Sequence, residues 1–189
     1  MGSWNEIPVP GVRGLEHTAD VGLEVEGTDL PQLFLRGGLG AMWLVLEREA
    51  GQVGGGAEEE RVASAFGAGP VSFQGDGDGN KAPTLRIPKT DRRNLNLTEE
   101  DLPALFRAWL RALLFWEETE GFVFTGGRLA FHPAPLCSAP DGQAFGLQAR
   151  VEGRVDSGPR VREIKGVTLH ELVVERRGDG WYGRVIFDV

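Results

Sequence analysis

The first patterned part of the chain is a run of alternating apolar and polar residues between Leu15 and Glu26. One phase of the run is apolar except at His17, and the other phase is polar or glycine and includes Asp20. Strict alternation is typical of an extended chain that places one face on a core and the other in water. The pattern therefore predicts a strand, or a bent pair of strands, over residues 14–26. Because His17 lies on the apolar phase, packing in the core is a simpler interpretation than a functional role.

A stretch with the three-to-four spacing of an amphipathic helix follows this region. Thr28 or Asp29 is predicted to cap the helix, with Pro31 in its first turn, and the apolar stripe runs from Leu30 to Leu46. Three glycines favour close helix–sheet packing over a phosphate cradle, because they lie inside the helix. These are Gly37, Gly38 and Gly40.

The most strongly amphipathic stretch comes later and predicts a second long helix. Thr98 is the predicted N-cap, the acidic residues up to Asp101 suit the helix dipole, and the helix is expected to end before Gly121. Its apolar positions are Leu102, Leu105, Phe106, Trp109, Leu110, Leu113 and Leu114. This spacing predicts that one side of the helix is buried throughout its length.

The remaining elements are predicted strands, with a Gly- and Asp-rich hairpin turn at residues 176–180. The strand candidates are residues 84–87, 93–97, 122–131, 143–155, 164–175 and 181–188. Together with the two helices they predict an α+β fold, in which two long helices pack on one face of a mostly antiparallel sheet. The length favours a single two-layer domain over residues 1–189.

Residues 51–82 differ from their surroundings, because glycine is frequent and the apolar period fades. They are predicted to form a flexible Gly/Asp-rich insertion. Asp76 begins a short resemblance to an EF-hand calcium loop, but Lys81 stands where the turn glycine belongs and Ile87 where the bidentate glutamate belongs. A solvated loop is therefore favoured over a calcium site.

The net charge, the cysteine count and the lengths of the apolar runs exclude several classes of protein. The net charge of −8 predicts a surface that repels nucleic acid, so no direct nucleic-acid binding is expected. The single cysteine excludes an internal disulfide framework. With no apolar run near the ~20 residues of a membrane span, and no signal-peptide pattern, a cytoplasmic protein without a membrane partner is expected.

Candidate chemistry centres on acidic residues near the two ends of the sequence. No nucleophile elbow or Walker loop is present, and the three histidines lack zinc-site spacing. If the first and last strands are neighbours, Asp20, Asp188 and the α-carboxylate of Val189 would converge, and such a cluster needs a compensating cation, lysine or arginine. Oxygen ligands favour calcium or magnesium over zinc, and Lys165 is a candidate to line the same pocket. Two unrelated solvated aspartates remain the alternative, because spacing does not establish strand neighbours.

Three segments resemble the archease family. They are the Glu-His-Thr-Ala-Asp-Val-Gly run at residues 16–22, the Ile-Lys-Gly-Val-Thr-Leu-His run at residues 164–170 and the Val-Ile-Phe-Asp-Val run at residues 185–189. The resemblance covers residues 12–50 and 93–189. It departs from the family in the long insertion and at Gly166, where alanine is more usual.

The resemblance implies a function as well as a fold. Proteins of this family are small α+β domains that assist the GTP- and manganese-dependent RNA ligase of tRNA splicing, which joins 3′-phosphate or cyclic-phosphate ends to 5′-hydroxyl ends. They promote guanylylation of the ligase and its multiple turnover. For this chain the resemblance implies a non-enzymatic, chaperone-like activator with a metal pocket, calcium most readily, made by Asp20, Asp188 and Val189, with His17 and Lys165 as possible pocket-lining residues.

Two other classes of function stay open. A metal-dependent hydrolase or phosphotransferase would use the Asp20/Asp188 ion, with His17, Glu16 or Lys165 as its only plausible base. An RNA-binding module that presents tRNA to the ligase would need a basic surface with aromatic residues. The basic cluster that the sequence offers is interrupted by acids and is interpreted as a solvated face. Its members are Arg150, Arg154, Arg160, Arg162, Arg176 and Arg177.

Overall fold

The computed structural model describes residues 3–16, 20–46, 90–135 and 143–189. The elements in chain order are β1 Ser3–Glu6, β2 Val12–Glu16, β3 Asp20–Gly27, α1 Leu30–Leu46, β4 Asp91–Glu99, α2 Leu102–Glu120, β5 Phe122–Pro135, β6 Gln143–Val155, β7 Gly166–Val167, β8 Val173–Arg177 and β9 Gly180–Asp188. The predicted insertion at 51–82, its resemblance to a calcium loop and the candidate strand at 84–87 lie outside the described residues.

The described strands form two antiparallel sheets. Sheet A has the order β1-β2-β3-β9-β7, and β8 pairs with the same edge of β9 as β7 does. Sheet B has the order β4-β6-β5. The predicted α+β class with two long helices and antiparallel strands is confirmed, but the strands are divided between two sheets where the pattern predicted one. Periodicity shows which side of a strand is buried and does not show which strands pair.

The two helices pack against each other and against both sheets. Gly37 and Gly38 of α1 face the side chains of Phe106 and Leu113 on α2, whereas Gly40 faces Val12 and Leu23 of sheet A. The predicted helix–sheet packing is therefore confirmed at Gly40, whereas Gly37 packs on the other helix. The buried Trp109 indole on α2 donates a 2.8 Å hydrogen bond to the Phe34 carbonyl of α1, which fixes the contact between the helices.

The helix ends follow the predicted capping chemistry, with one correction. The Asp29 carboxylate accepts a hydrogen bond from the Gln32 amide at 2.8 Å, as predicted for α1. At α2 the N-cap is Asp101, whose carboxylate accepts from the Ala104 amide at 2.7 Å. The prediction of Thr98 as the cap was wrong, because β4 continues to Glu99 and the chain leaves the extended conformation only after Asp101. Gly121 ends α2 in the left-handed conformation, as expected.

The strand predicted over residues 164–175 was also wrong in one respect, because it is interrupted. Residues 166–167 and 173–177 pair with β9, and a turn closed by a hydrogen bond from the Leu172 amide to the Leu169 carbonyl separates them. Glu171 has a φ of 52° within this turn, a left-handed conformation that ends strand pairing locally. In the part of the chain that the structure describes, no helix is long and apolar enough to span a membrane.

Candidate metal site

The pairing of β3 with β9 brings the two predicted aspartates together. Asp20 is the direct cross-strand partner of Asp188 in the antiparallel register. Side chains of directly opposed residues project on the same side of a sheet, with Cβ atoms about 4.5–5.5 Å apart. The condition for the predicted acidic cluster, that the first and last alternating runs are neighbours, is therefore met.

The two carboxylates lie on the outer face of sheet A, and both residues are exposed. Farther along the same face, Glu24 is opposite Arg184, a pair of opposite charge whose side-chain atoms are 3.6 Å apart. By contrast, the Asp20 and Asp188 carboxylates have no ion-pair or hydrogen-bond partner among the described residues. Like charges directly opposed across two strands are destabilising, so a cation bound between these two carboxylates would stabilise the pair.

On the other side of β9, pairing with β7 places the backbone of Lys165, the predicted pocket-lining residue, next to Asp188. Gly166 of β7 is directly opposite Asp188, and the Lys165 amide donates a 2.8 Å hydrogen bond to the Asp188 carbonyl. The Lys165 side chain is exposed, and it makes no ion pair with Asp188 in the described structure. Val189 is half-buried, and its side chain packs against the core. This packing holds the backbone in place where β9 ends, just after Asp188.

The two carboxylates that the β3–β9 register brings together offer only oxygen atoms. Oxygen donors suit calcium or magnesium. No group of three or more His, Cys, Asp or Glu side chains converges among the described residues, so these two side chains do not make a complete metal site on their own. The α-carboxylate of Val189 stays a predicted third ligand. His17, the other predicted pocket residue, lies outside the described residues.

Farther along the outer face of sheet A, a group of polar contacts surrounds Tyr182. Its hydroxyl donates a 2.9 Å hydrogen bond to the Glu24 carboxylate, and the Arg177 guanidinium stacks on its ring. Burial, and next the hydrogen bond to Glu24, raises the pKa of the Tyr182 hydroxyl. Arg184 also contacts the Glu171 carboxylate at 2.5 Å, which links the outer face to the turn between β7 and β8.

The arginines that the sequence grouped as one basic cluster lie among acidic partners in the fold. Arg154 contacts Asp156 at 2.9 Å, Arg160 pairs with the buried Glu117, and Arg177 contacts Glu175 at 2.7 Å. Arg150 is exposed on the outer face of sheet B. The prediction that acids interrupt the cluster is therefore confirmed for Arg154, Arg160 and Arg177.

A model of the Archease protein family matches residues 82–189. The chain belongs to the archease family. Over 109 residues it is 29% identical to protein archease from Methanosarcina acetivorans, which covers 56% of this chain and 70% of the relative. It is 26% identical over 108 residues to protein archease from Thermococcus gammatolerans, covering 55% of this chain and 71% of that one.

A solved structure extends the likeness of fold to the N-terminal part. The solution structure of Methanobacterium thermoautotrophicum protein 1598 superposes with a TM-score of 0.57 at 19% identity, covering 95% of this chain and 99% of the other. At this identity the match establishes the fold alone. The archease family match itself contains Lys165, Asp188 and Val189, whereas Asp20 lies before it and is connected to the matched part by the β3–β9 pairing.

Proposed function

We propose that this protein is a non-enzymatic activator of the GTP-dependent RNA ligase that joins 3′-phosphate and 5′-hydroxyl RNA ends in tRNA splicing and RNA repair. It promotes guanylylation of the ligase and its multiple turnover. The observation that carries the proposal is membership of the archease family through a match that includes β9 and its last residues. The pairing of Asp20 with Asp188 supports it, because the predicted acidic site depends on that pairing.

A divalent cation belongs to this proposal. Asp20, Asp188 and the α-carboxylate of Val189 would hold calcium, or magnesium in its place, at the end of the β3–β9 pair. When bound, the ion supplies the positive charge that offsets the opposed carboxylates. The exposed position of both aspartates leaves the site open to a partner protein.

The first test measures turnover of the purified ligase. Ligation of an RNA with 3′-phosphate and 5′-hydroxyl ends is followed with GTP and manganese, with and without this protein. We expect each ligase molecule to perform many ligations only when the protein is present, and we expect more guanylylated ligase at early times. Turnover that is the same with and without the protein would remove the activator function.

Variants connect the activation to the acidic site. Asp20→Asn and Asp188→Asn each remove one ligand charge with almost no change of volume, and a short C-terminal extension removes the α-carboxylate of Val189 while keeping every side chain. All three should weaken both calcium binding, measured by titration calorimetry, and ligase activation. The matched control is Asp179→Asn, the same change at an exposed acid in the β8–β9 turn, which should leave both properties unchanged.

Calcium binding also has a readout that does not involve the ligase. At free calcium a hundredfold above its dissociation constant, the free energy of unfolding should rise by about 2.7 kcal/mol. This gain should be lost in Asp20→Asn and Asp188→Asn. If all three site variants bind calcium as well as the Asp179→Asn control does, the two aspartates are independent solvated residues and the site does not exist.

The alternative function is a metal-dependent hydrolase or phosphotransferase that uses the Asp20/Asp188 ion. Assays of the isolated protein on RNA ends and on GTP, with added calcium, magnesium or manganese, distinguish it. The activator proposal expects no turnover without ligase. Metal-dependent turnover that disappears in Asp20→Asn would decide in favour of the enzyme.

A further inference from the structure

The outer face of sheet B carries positive charge that the net charge of the chain conceals. Along β4, half-buried residues alternate with exposed ones, and Arg92 belongs to the exposed phase. Arg128 on β5 and Arg150 on β6 are also exposed and lie on the side of the sheet that faces away from the helices. The opposite phase packs inward, as shown by the fully buried Leu147 and Val151 of β6.

Two of these arginines are direct neighbours. Arg128 and Arg150 are cross-strand partners in the β5–β6 register, and Asn94 of β4 is the partner of Arg150 on its other side. Neither guanidinium has an ion-pair or hydrogen-bond partner within the described part of the chain. Two like charges held directly opposite each other are destabilising, and a bound anion would relieve this repulsion.

The surroundings of the two arginines contain little negative charge. In the three rows of the face that run from Arg92 to Asn96, the one carboxylate is that of Glu152. It accepts a 3.0 Å hydrogen bond from Arg92, so its charge is already matched. The face as a whole is thus locally cationic in a protein of net charge −8.

The other side chains on the outer face of sheet B indicate which kind of anion would bind there. Protein interfaces are usually anchored by buried aromatic or aliphatic side chains, and Ala130 is the only apolar residue in these three rows. Apart from Gly126, the remaining positions carry the side-chain amides of Asn94, Asn96 and Gln148, and amides together with arginine are common partners of phosphate oxygens. The face therefore fits a phosphate backbone better than a protein surface.

We propose that the outer face of sheet B binds the phosphate backbone of a single RNA strand, with Arg128 and Arg150 at its centre. The three rows contain no aromatic side chain on which a base could stack, so the contacts proposed are to phosphates and carry no sequence preference. An open sheet face can accommodate the backbone of an unpaired strand. This inference departs from the expectation of no nucleic-acid contact, because binding depends on the local distribution of charge and not on its total. It is separate from the proposed ligase activation, and its test uses no ligase.

The experiment measures the binding of a fluorescein-labelled oligouridylate of roughly twelve nucleotides by fluorescence anisotropy at a series of salt concentrations. The variant is Arg128→Gln/Arg150→Gln. The matched control is Arg111→Gln/Arg176→Gln, which removes the same charge from two exposed arginines on α2 and β8. Thermal unfolding of both variants should match the unmodified protein, because all four side chains are exposed.

The unmodified protein and the control should bind the oligonucleotide, and the Arg128/Arg150 variant should bind at least about tenfold more weakly. Each phosphate contact on a single strand contributes about 0.7 to the slope of log affinity against log salt, so the loss of two contacts should reduce that slope by about 1.4. No binding by the unmodified protein, or equal slopes in the two variants, would overturn the proposal. So would equally tight binding of a poly-glutamate peptide of the same length, since the face would then prefer acidic protein.

Discussion

At the scale of single residues, the most constrained side chain of the described structure is Glu117 on α2. It is the one buried charged residue among those described. Its partner Arg160 also donates hydrogen bonds to the carbonyls of Gly158 and Asp156, at 2.7 Å each. Three acceptors thus satisfy one guanidinium, and the contact fastens the segment after β6 to the end of α2.

Removing this carboxylate should be costly. Glu117→Gln keeps the volume but leaves the half-buried Arg160 without its counter-charge, and breaking a buried pair typically costs 3–5 kcal/mol. Because Arg160 keeps its two carbonyl acceptors and is partly solvated, we expect a loss of about 3 kcal/mol in the free energy of unfolding, measured in urea. Glu118→Gln, the same change at the exposed neighbour, should stay within about 0.5 kcal/mol. Equal effects of the two substitutions would show that the Arg160 contact contributes little.

Glu117 also shows how residue-level prediction from sequence falls short. It lies four residues after Leu113 on the buried stripe of α2, so the helical period contained the signal. The sequence alone does not reveal the counter-charge, because Arg160 comes from a loop after another strand. The Asp20/Asp188 pair was easier to predict, because both residues lie in clear alternating runs. Only the observed register establishes that the two runs are neighbours.

At the scale of elements, the contact between α1 and α2 depends on the absence of a side chain at Gly37. A Cβ atom there would lie 2.5 Å from the Phe106 ring, which is fully buried. Gly37→Ala should gain about 1 kcal/mol of helix propensity but lose 1–3 kcal/mol through overpacking, so a net loss of about 1 kcal/mol is expected. Urea unfolding measures it.

Gly166→Ala is the control for this glycine series, because a Cβ atom at Gly166 would meet nothing within 4 Å. With no steric cost, the substitution should be neutral or stabilise the protein by up to about 1 kcal/mol through the unfolded chain. A Gly37→Ala protein as stable as Gly166→Ala would show that the two helices can separate without penalty.

The β3–β9 pair carries a pH-dependent contact at the end away from Asp20. Burial and the hydrogen bond to Glu24 raise the pKa of Tyr182, so the protonated hydroxyl is favoured in the folded state. This contribution to stability is complete below the unfolded pKa of about 10 and is lost as the pH rises through the folded pKa. The free energy of unfolding should therefore fall more steeply above about pH 10 in the unmodified protein than in Tyr182→Phe. Parallel curves for the two proteins would show that Tyr182 does not titrate with folding.

At the scale of the whole molecule, the sequence predicted the fold class and most elements but not the division into two sheets. The β6 and β9 predictions agreed closely with the structure because their alternation is long and regular. The strand predicted over residues 164–175 is interrupted at Glu171, whose carboxylate contacts Arg184 of β9, and no glycine marks this turn in the sequence. Sheet membership is a property of long-range pairing, which local pattern does not contain.

The arrangement of β9 has a consequence for the order in which the molecule is completed. All strand pairs of sheet B join elements within residues 91–155. In sheet A, by contrast, β3, β7 and β8 each pair with β9, which follows every other described element. Because synthesis proceeds from the N-terminus and long-range pairing is slow, sheet B and α2 are expected to assemble while the edge of β3 is still waiting for its partner. The acidic site formed by Asp20 and Asp188 is then among the last parts of a newly synthesised chain to assemble. A ligase that recognises this acidic site would bind only molecules that have finished folding.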